Sequence, residues 1–272
     1  MNFAKMQGNG NDFIIVEDFD NKLQGKESEL AKHVCHRKFG IGADGLLIVR
    51  LTDKADIEMI IINSDGSYAA MCGNGIRCFI KYAFEKKIVT KEKINVLTGA
   101  GIKTISLKTK DGKVNSISVN MGQANFNPNA IPVKSNEEII NKEILANNKV
   151  YKITSLLMNI PHTVIFEEDN TNITEGNEIE KHPLFPEKTN VNFCKVINKS
   201  IIEVRTWERG AGATLGCGTG NCASAVVCNK LGFVDNKVKV ITPGGSLWVH
   251  IKGDGVYMIG DAKFICEGTY NF

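Results

Sequence analysis

The chain has 272 residues, of which 43% are hydrophobic, and a formal net charge of +3 at pH 7. This length and apolar content allow one large hydrophobic core or two of ordinary size. The charge is spread along the chain without a basic run, so neither a nucleic acid nor an anionic membrane is expected as a partner. The N-terminus has a strand-like pattern instead of a leader, and no apolar stretch approaches membrane-spanning length, which favours a cytoplasmic location.

Strand-like runs dominate the chain, and helical spacing is confined to a few segments. In the first half, apolar runs bounded by turn residues predict strands at 3–6, 13–18, 46–49, 57–62, 93–98, 102–108 and 114–121, and helical spacing predicts a helix at 29–39. In the second half, strands are predicted at 150–157, 164–166, 190–193 and 201–207, and helices at 136–146 and 174–182. The stretch 125–132 is the expected linker between two domains.

Two glycine-rich segments carry the most distinctive chemistry of the chain. Each places a cysteine, Cys72 or Cys217, directly before a Gly-x-Gly run that leads into residues compatible with a helix. A thiol at a helix N-terminus lies beside open backbone N–H groups and the positive end of the helix dipole, which attract an anion and lower the thiol pKa. The sequence therefore predicts two thiols activated in the same way.

The similarity of the two halves extends beyond these cysteines, which are 145 residues apart (217 − 72). Three further echoes occur in the same order: 96–101 with 240–245 at an offset of 144, 121–124 with 259–262, and 12–17 with 162–167 at an offset of 150. Drifting offsets with a preserved order indicate two copies of one unit with insertions in the loops. The expected domains are residues 1–121 and 122–263.

The eight cysteines do not follow a metal-binding or disulfide pattern. There is no Cys-x-x-Cys pair, so zinc is not expected, and nothing points to an oxidising compartment. The cysteines outside the two thiol positions are expected to be small buried packing residues: Cys35, Cys78, Cys194, Cys222, Cys228 and Cys266.

Polar residues next to the thiol segments are candidates for substrate binding. Asn11 lies in an amide-rich loop, Asn63 ends an apolar strand, and a strand delivers Glu208 and Arg209 just before the second thiol. Two thiols facing one another across a cleft could invert a carbon atom, since one removes a proton and the other returns one to the opposite face. The helix N-termini would stabilise the charge that develops on the substrate carboxylate. No loop resembles a cradle for the phosphate of pyridoxal phosphate, so a route without a cofactor fits.

Several of these segments together resemble the diaminopimelate epimerase family: 8–13, 39–45, 63–67, 72–78, and 207–212 running on to 217–220. The resemblance implies an enzyme that interconverts LL- and meso-2,6-diaminopimelate without cofactor or metal, in lysine and peptidoglycan precursor synthesis. It also implies a mixed α/β fold of two similar domains. Each is a curled, largely antiparallel sheet around a central helix, and the tail 264–272 returns to the first domain.

The resemblance further assigns roles to residues. Cys72 and Cys217 match the acid and base, and His162 and Glu208 match residues that tune the thiols. The expected substrate contacts are Asn11, Asn63, Gly73, Asn74, Asn190, Glu208, Arg209, Gly218 and Thr219. The implied partner is a small-molecule substrate, an amino acid, and a homodimer is a further expectation left open.

Two positions depart from the family pattern, and they leave alternatives open. Ile160 stands where an amide usually precedes proline, and Ala213 stands where many relatives have Glu. Both changes concern recognition of the far end of the substrate. The second hypothesis is a racemase of the same build acting on another amino acid, such as histidine or a related diamino acid. The third is a redox or metal-binding module that uses paired thiols.

Overall fold

The computed structural model describes residues 1–167 and 171–271. The chain forms two compact units: Met1–Val119 with Gly260–Phe272, and Asn120–Ile259. The last residue of the predicted tail, Phe272, lies outside the described residues. The domain limits given from the sequence, residues 1–121 with the tail 264–272 and residues 122–263, stay a prediction.

Strands make up most of both units. The first unit contains β1 (Asn2–Gly8), β2 (Asn11–Glu17), α1 (Glu27–Val34), β3 (Gly45–Arg50), β4 (Ile57–Asn63), β5 (Tyr68–Ala69), α2 (Gly73–Glu85), β6 (Lys93–Thr98), β7 (Gly101–Lys110) and β8 (Lys113–Asn120). The second contains β9 (Lys142–Ala146), β10 (Lys149–Met158), β11 (Ile160–Phe166), a 3₁₀ turn (Ile173–Glu175), α3 (Gly176–Glu180), β12 (Asn190–Asn198), β13 (Ile201–Glu208), β14 (Gly212–Thr214), α4 (Gly218–Lys230), β15 (Lys237–Thr242), β16 (Gly245–Lys252) and β17 (Gly255–Gly260). The final strand, β18 (Lys263–Thr269), pairs with β1.

The two sheets have the same strand order and the same strand directions. The first runs β18-β1-β2-β3-β4-β6-β7-β8, and the second runs β9-β10-β11-β12-β13-β15-β16-β17. In both, neighbours pair antiparallel except at the third and fifth junctions, which are parallel. The predicted internal duplication is therefore confirmed. The two units differ in one respect. The first strand of the second sheet, β9, comes directly before β10 in the chain, whereas the equivalent strand of the first sheet, β18, comes from the C-terminal end of the chain.

In the middle of each sheet, the strand register shows which residue of the first unit is equivalent to which residue of the second. Leu47 pairs with Ile61 in the first unit, and Asn192 pairs with Thr206 in the second, which gives an offset of 145 (192 − 47). The preceding strand has another offset. Phe13 lies opposite the first residue of β3, and His162 lies opposite the first residue of β12, which is the equivalent strand. Phe13 and His162 are therefore equivalent positions, with an offset of 149 residues (162 − 13). The sequence match of 12–17 with 162–167 at an offset of 150 is wrong by one residue, and such a slip exchanges the two faces of a strand.

Each sheet curls around one buried helix. α2 packs against β1, β2, β3 and β4, whereas α4 packs against β10 to β13, β15 and β16. Ten of the 13 residues are buried in either helix. A helix covered on nearly all sides needs a sheet that bends around it, so the predicted fold class, mixed α/β and dominated by strands, is confirmed.

Two predicted helices differ from the structure. The helix at 136–146 is wrong, because residues Lys142–Ala146 form β9. Asn147 and Asn148 close the β9–β10 hairpin with φ of 50° and 55°, and a two-residue loop with both φ values positive joins strands, not helices. The other, at 29–39, is α1 and ends at Val34. Among the described residues, no helix combines the length and apolarity that a bilayer crossing requires.

Candidate active site

Cys72 is the residue at which helix α2 begins. Its backbone is extended, with φ −139° and ψ 121°, and its Sγ accepts a hydrogen bond from the backbone N–H of Gly75 at 3.4 Å. The thiol also donates to Asn11 Oδ1 at 3.6 Å. The predicted position of this thiol at a helix N-terminus is confirmed, and the side chain is half-buried.

The amide of Asn11 is held in one orientation by a carboxylate. Its Nδ2 donates to Asp44 Oδ2 at 2.6 Å, so its oxygen is the atom that faces Cys72. Arg37 binds Asp44 at 2.7 Å and Asp12 at 2.8 Å, which fixes the carboxylate in turn. Asp44 is thus a supporting residue that no sequence argument had singled out.

Cys217 occupies the equivalent position at the start of α4. Its backbone is extended, with φ −98° and ψ 116°, and its Sγ lies 3.4 Å from Thr219 Oγ1. Burial raises the pKa of the Cys217 thiol well above its usual value, and the carboxylate of Glu208 raises it further. The expectation that the helix N-terminus lowers this pKa is therefore wrong for Cys217, because loss of hydration outweighs the helix dipole. At neutral pH Cys217 is a protonated thiol.

The residues before the second thiol are fixed by a buried acid. Glu180, only 3% exposed, accepts from the indole Nε1 of Trp207 at 2.8 Å and from the backbone N–H of Gly210 at 3.3 Å. Glu208 accepts from the hydroxyl of Thr214 at 2.7 Å. Glu180 therefore binds the residues on either side of Glu208 and Arg209 in the chain, Trp207 and Gly210. No sequence motif had indicated this role.

Asn190 links Arg209 to the strand that carries His162. Its Nδ2 donates to the carbonyl of Pro161 at 2.9 Å, and its Oδ1 accepts from the backbone N–H of Arg209 at 2.8 Å. Both ends of the amide thus hold backbone groups. Arg209 also donates from Nη1 to the carbonyl of Glu187 at 2.7 Å, and its planar guanidinium has further N–H donors.

His162 is completely buried at the start of β11. Burial lowers the pKa of its imidazole to about 3, with a contribution from the Arg209 charge. Its Nε2 is buried without a hydrogen-bond partner among the described residues. His162 is therefore neutral at every physiological pH.

The other predicted residues take simple positions. Asn63 is exposed at the end of β4 and donates to Ser67 Oγ at 2.9 Å. The pairs Gly73 and Asn74, and Gly218 and Thr219, form the first turns of α2 and α4. The structure thus brings Asn11 to Cys72 in the first unit and Glu208 and Thr219 to Cys217 in the second.

The two departures from the family pattern also have definite places. Ile160 is half-buried at the first position of β11, directly after Asn159, which has a φ of 64°. Ala213 is exposed in β14 and pairs with Trp207. No group of three or more His, Cys, Asp or Glu side chains in the described part of the chain is arranged to hold a metal ion.

Comparison with known proteins gives consistent matches along the chain. The family model described as diaminopimelate epimerase matches residues 3–127 and 154–265. A protein named diaminopimelate epimerase from Clostridium perfringens (strain 13 / Type A) is 62% identical over 272 residues, which cover 100% of both chains. Another of that name, from Alkaliphilus metalliredigens (strain QYMF), is 47% identical over 273 residues, covering 98% of this chain and 96% of the relative.

Solved structures of lower sequence similarity share the fold. A probable proline racemase from Agrobacterium radiobacter K84 superposes with a TM-score of 0.73 at 15% identity, covering 99% of this chain and 92% of that chain. A hydroxyproline epimerase from Agrobacterium vitis gives 0.70 at 14% identity, with coverage of 98% and 91%. At these identities the likeness shows the fold alone.

Proposed function

The chain belongs to the diaminopimelate epimerase family, an isomerase family that interconverts LL- and meso-2,6-diaminopimelate in lysine biosynthesis, and we propose that Cys72 and Cys217 are its acid and base. One cysteine, as thiolate, removes the α-proton, and the other, as thiol, returns a proton to the opposite face of the planar carbanion. The observation that carries the proposal is the duplication. Each half presents a cysteine as the N-cap of an equivalent buried helix.

The surroundings of each thiol support this division of labour. The backbone N–H groups and the positive dipole ends at the start of α2 and α4 are suited to bind the substrate carboxylate and to stabilise the charge that builds up on it in the transition state. Glu208 favours the protonated form of Cys217, as a proton donor requires. No step of this route needs a cofactor.

The remaining predicted residues are proposed to bind the far end of the amino acid. Arg209 can hold the distal carboxylate through paired N–H donors, while Asn11 and Asn63 offer amide groups. Gly73, Asn74, Gly218 and Thr219, in the first turns of the two thiol helices, are proposed to hold the reacting end instead. Asn190 contributes by fixing the Arg209 backbone.

The cysteines can be tested by measuring inversion and exchange together. Purified wild type, Cys72→Ala and Cys217→Ala are incubated with LL-diaminopimelate in deuterated water, and both the stereoisomers and the deuterium at the α-carbon are followed. Each variant should lose epimerisation by at least about a hundredfold, as expected when an acid or base is removed. Cys78→Ala, at a fully buried packing position, is the matched control and should retain turnover. Normal inversion by either alanine variant at position 72 or 217 excludes the two-thiol mechanism.

The alternative hypothesis of another amino-acid substrate has less support. Proteins named diaminopimelate epimerase match nearly the whole chain at up to 62% identity, which favours this substrate over histidine or another amino acid. L-Histidine in the same exchange assay should show no α-deuterium incorporation. A cytoplasmic location and a homodimeric state complete the proposal, and fractionation of cells and sedimentation of the purified protein test them.

A further inference from the structure

The duplication allows the supports of the two thiol helices to be compared position by position. On three strands that pack against each helix, equivalent residues differ in chemistry between the two units. The first unit has Phe13, Leu47 and Ile61, and the second has His162, Asn192 and Thr206. The backbone pairing is the same, yet three apolar side chains in one unit are replaced by three polar ones in the other.

In the first unit the support is apolar packing. A Cβ atom added to Gly75, in the first turn of α2, would lie 3.3 Å from the ring of Phe13 and 3.5 Å from Leu47 Cδ2. Phe13 is 4% exposed and Leu47 is fully buried. These contacts orient the helix start through shape alone, because neither side chain has a hydrogen-bonding group.

In the second unit the support is a chain of hydrogen bonds. A Cβ atom added to Gly220, the counterpart of Gly75, would collide with Asn192 Oδ1 and lie 3.2 Å from Thr206 Oγ1. Thr206 donates to Asn192 Oδ1 at 3.1 Å. The Nδ2 of Asn192 lies 3.1 Å from the carbonyl of Thr163 and 3.2 Å from His162 Nδ1. Asn192 is completely buried.

These contacts determine where the proton of His162 is. A carbonyl oxygen can only accept, so the nitrogen of the Asn192 amide must be the atom that faces Thr163. The same nitrogen faces His162 Nδ1, which therefore accepts a hydrogen bond and carries no proton. The single proton of the neutral imidazole is consequently on Nε2, which is buried and has no partner among the described residues. A buried donor without an acceptor is destabilising, so an acceptor on a bound molecule is favoured at this position.

We propose that Asn192 is a positioning residue that holds His162 as the neutral Nε2–H tautomer and seats Gly220 beneath Cys217. The Cys217 unit then offers the substrate a hydrogen-bond donor at a position where the Cys72 unit has the apolar ring of Phe13. This role rests on the proposed function of Cys217. It makes the two thiols unequal although their backbones are equivalent. The donor is Nε2–H, and the anionic carboxylate of the bound amino acid is the acceptor that suits it.

Two substitutions separate positioning from packing. Asn192→Leu installs the residue of the first unit and removes all three side-chain hydrogen bonds, those with His162, Thr163 and Thr206. Asn192→Asp keeps the shape, but its carboxylate accepts where the amide donated, so it should draw the His162 proton to Nδ1. Leu47→Met is the matched control in the first unit, with a similar volume and no polar atom to lose.

The direct readout is nitrogen NMR of ¹⁵N-histidine-labelled enzyme. The chain has five histidines, and the signals absent from His162→Phe identify those of His162. Wild type should show a protonated Nε2 and an unprotonated Nδ1, and Asn192→Asp should show the reverse. A wild-type His162 with its proton on Nδ1 overturns the proposal, whatever the variants do.

Kinetics supply the second readout. Asn192→Leu and Asn192→Asp should lower kcat roughly tenfold to hundredfold, as misplacement of a binding group does, and Asn192→Asp should also move the acid limb of the pH profile. Equal losses in both variants with an unchanged pH profile and tautomer would reduce Asn192 to packing. Failure of the Cys72 and Cys217 tests would end the proposed function but leave the tautomer result standing, so the two ideas fail separately.

Discussion

Burial of neutral His162 should make the second unit less stable in mild acid. The unfolded chain binds a proton at this residue below about pH 6.5, whereas the folded protein does not until the pH falls to about 3. The unfolded state therefore binds more protons between these values, and stability falls as pH falls through this window. Above pH 6.5 the residue makes no pH-dependent contribution.

The size of the effect at pH 5 depends almost entirely on the unfolded pKa. With the folded pKa well below 5, the expected loss relative to pH 7.5 is about 2 kcal/mol, and it grows by about 1.4 kcal/mol per further pH unit. His162→Phe should remove this term, because it places at position 162 the ring that the first unit has at Phe13 and that cannot titrate.

The assay is urea unfolding at pH 7.5 and pH 5, followed by tryptophan fluorescence. Both tryptophans, Trp207 and Trp248, lie in the second unit, so the signal reports the unit that contains His162. Carboxylates contribute equally to wild type and variant, and the difference between the two proteins isolates the imidazole. An identical pH dependence for wild type and His162→Phe would refute the claim that a neutral histidine is buried there.

Two further predictions concern the second thiol segment. Gly220→Ala should destabilise the protein by about 1–3 kcal/mol, because the added methyl group overlaps Asn192. Gly75→Ala should cost much less, because the nearest atom to its methyl group lies at 3.3 Å. Equal urea midpoints for the two variants would contradict the claim that the two helix starts are packed differently. Glu208→Gln should lower the pKa of Cys217, because a carboxylate that raises it is removed, so alkylation of Cys217 by iodoacetamide at fixed pH, quantified by mass spectrometry, should become faster. A slower or unchanged rate would show that Glu208 does not control this thiol.

The sequence predicted the parts of the fold that leave a local trace. The strand at 57–62 and the helix after Cys72 follow from apolar runs and glycine placement, and the duplication followed from ordered echoes. The helix predicted at 136–146 failed because the deciding signal lay outside it, in the asparagine pair Asn147 and Asn148 that forms a hairpin turn. The short strands β5 and β14 were not predicted, since two or three residues are too few to show a period.

The site shows the same limit. Each thiol could be placed at a helix start from sequence, but the sign of the Cys217 pKa shift could not, because it depends on burial by residues distant in the chain. Asn192 left a trace that sequence reasoning passed over. It lies two positions after Asn190 in a predicted strand, so the two asparagines share one face. Two amides facing inward from a central strand are unusual enough to indicate a polar network.

The unequal supports match a property of the reaction itself. On the proposed mechanism, both thiols act on the carbon that inverts, and they exchange the roles of acid and base between the forward and reverse directions. The far stereocentre of diaminopimelate stays L in both the LL and the meso isomer, so it needs one fixed binding site and no mirror counterpart. The duplicated backbone provides the two equivalent thiols, and the divergence of its side chains provides the single site for the far stereocentre. The polar residues His162, Asn192 and Thr206, with Arg209 nearby in the same unit, put that divergence in the Cys217 half.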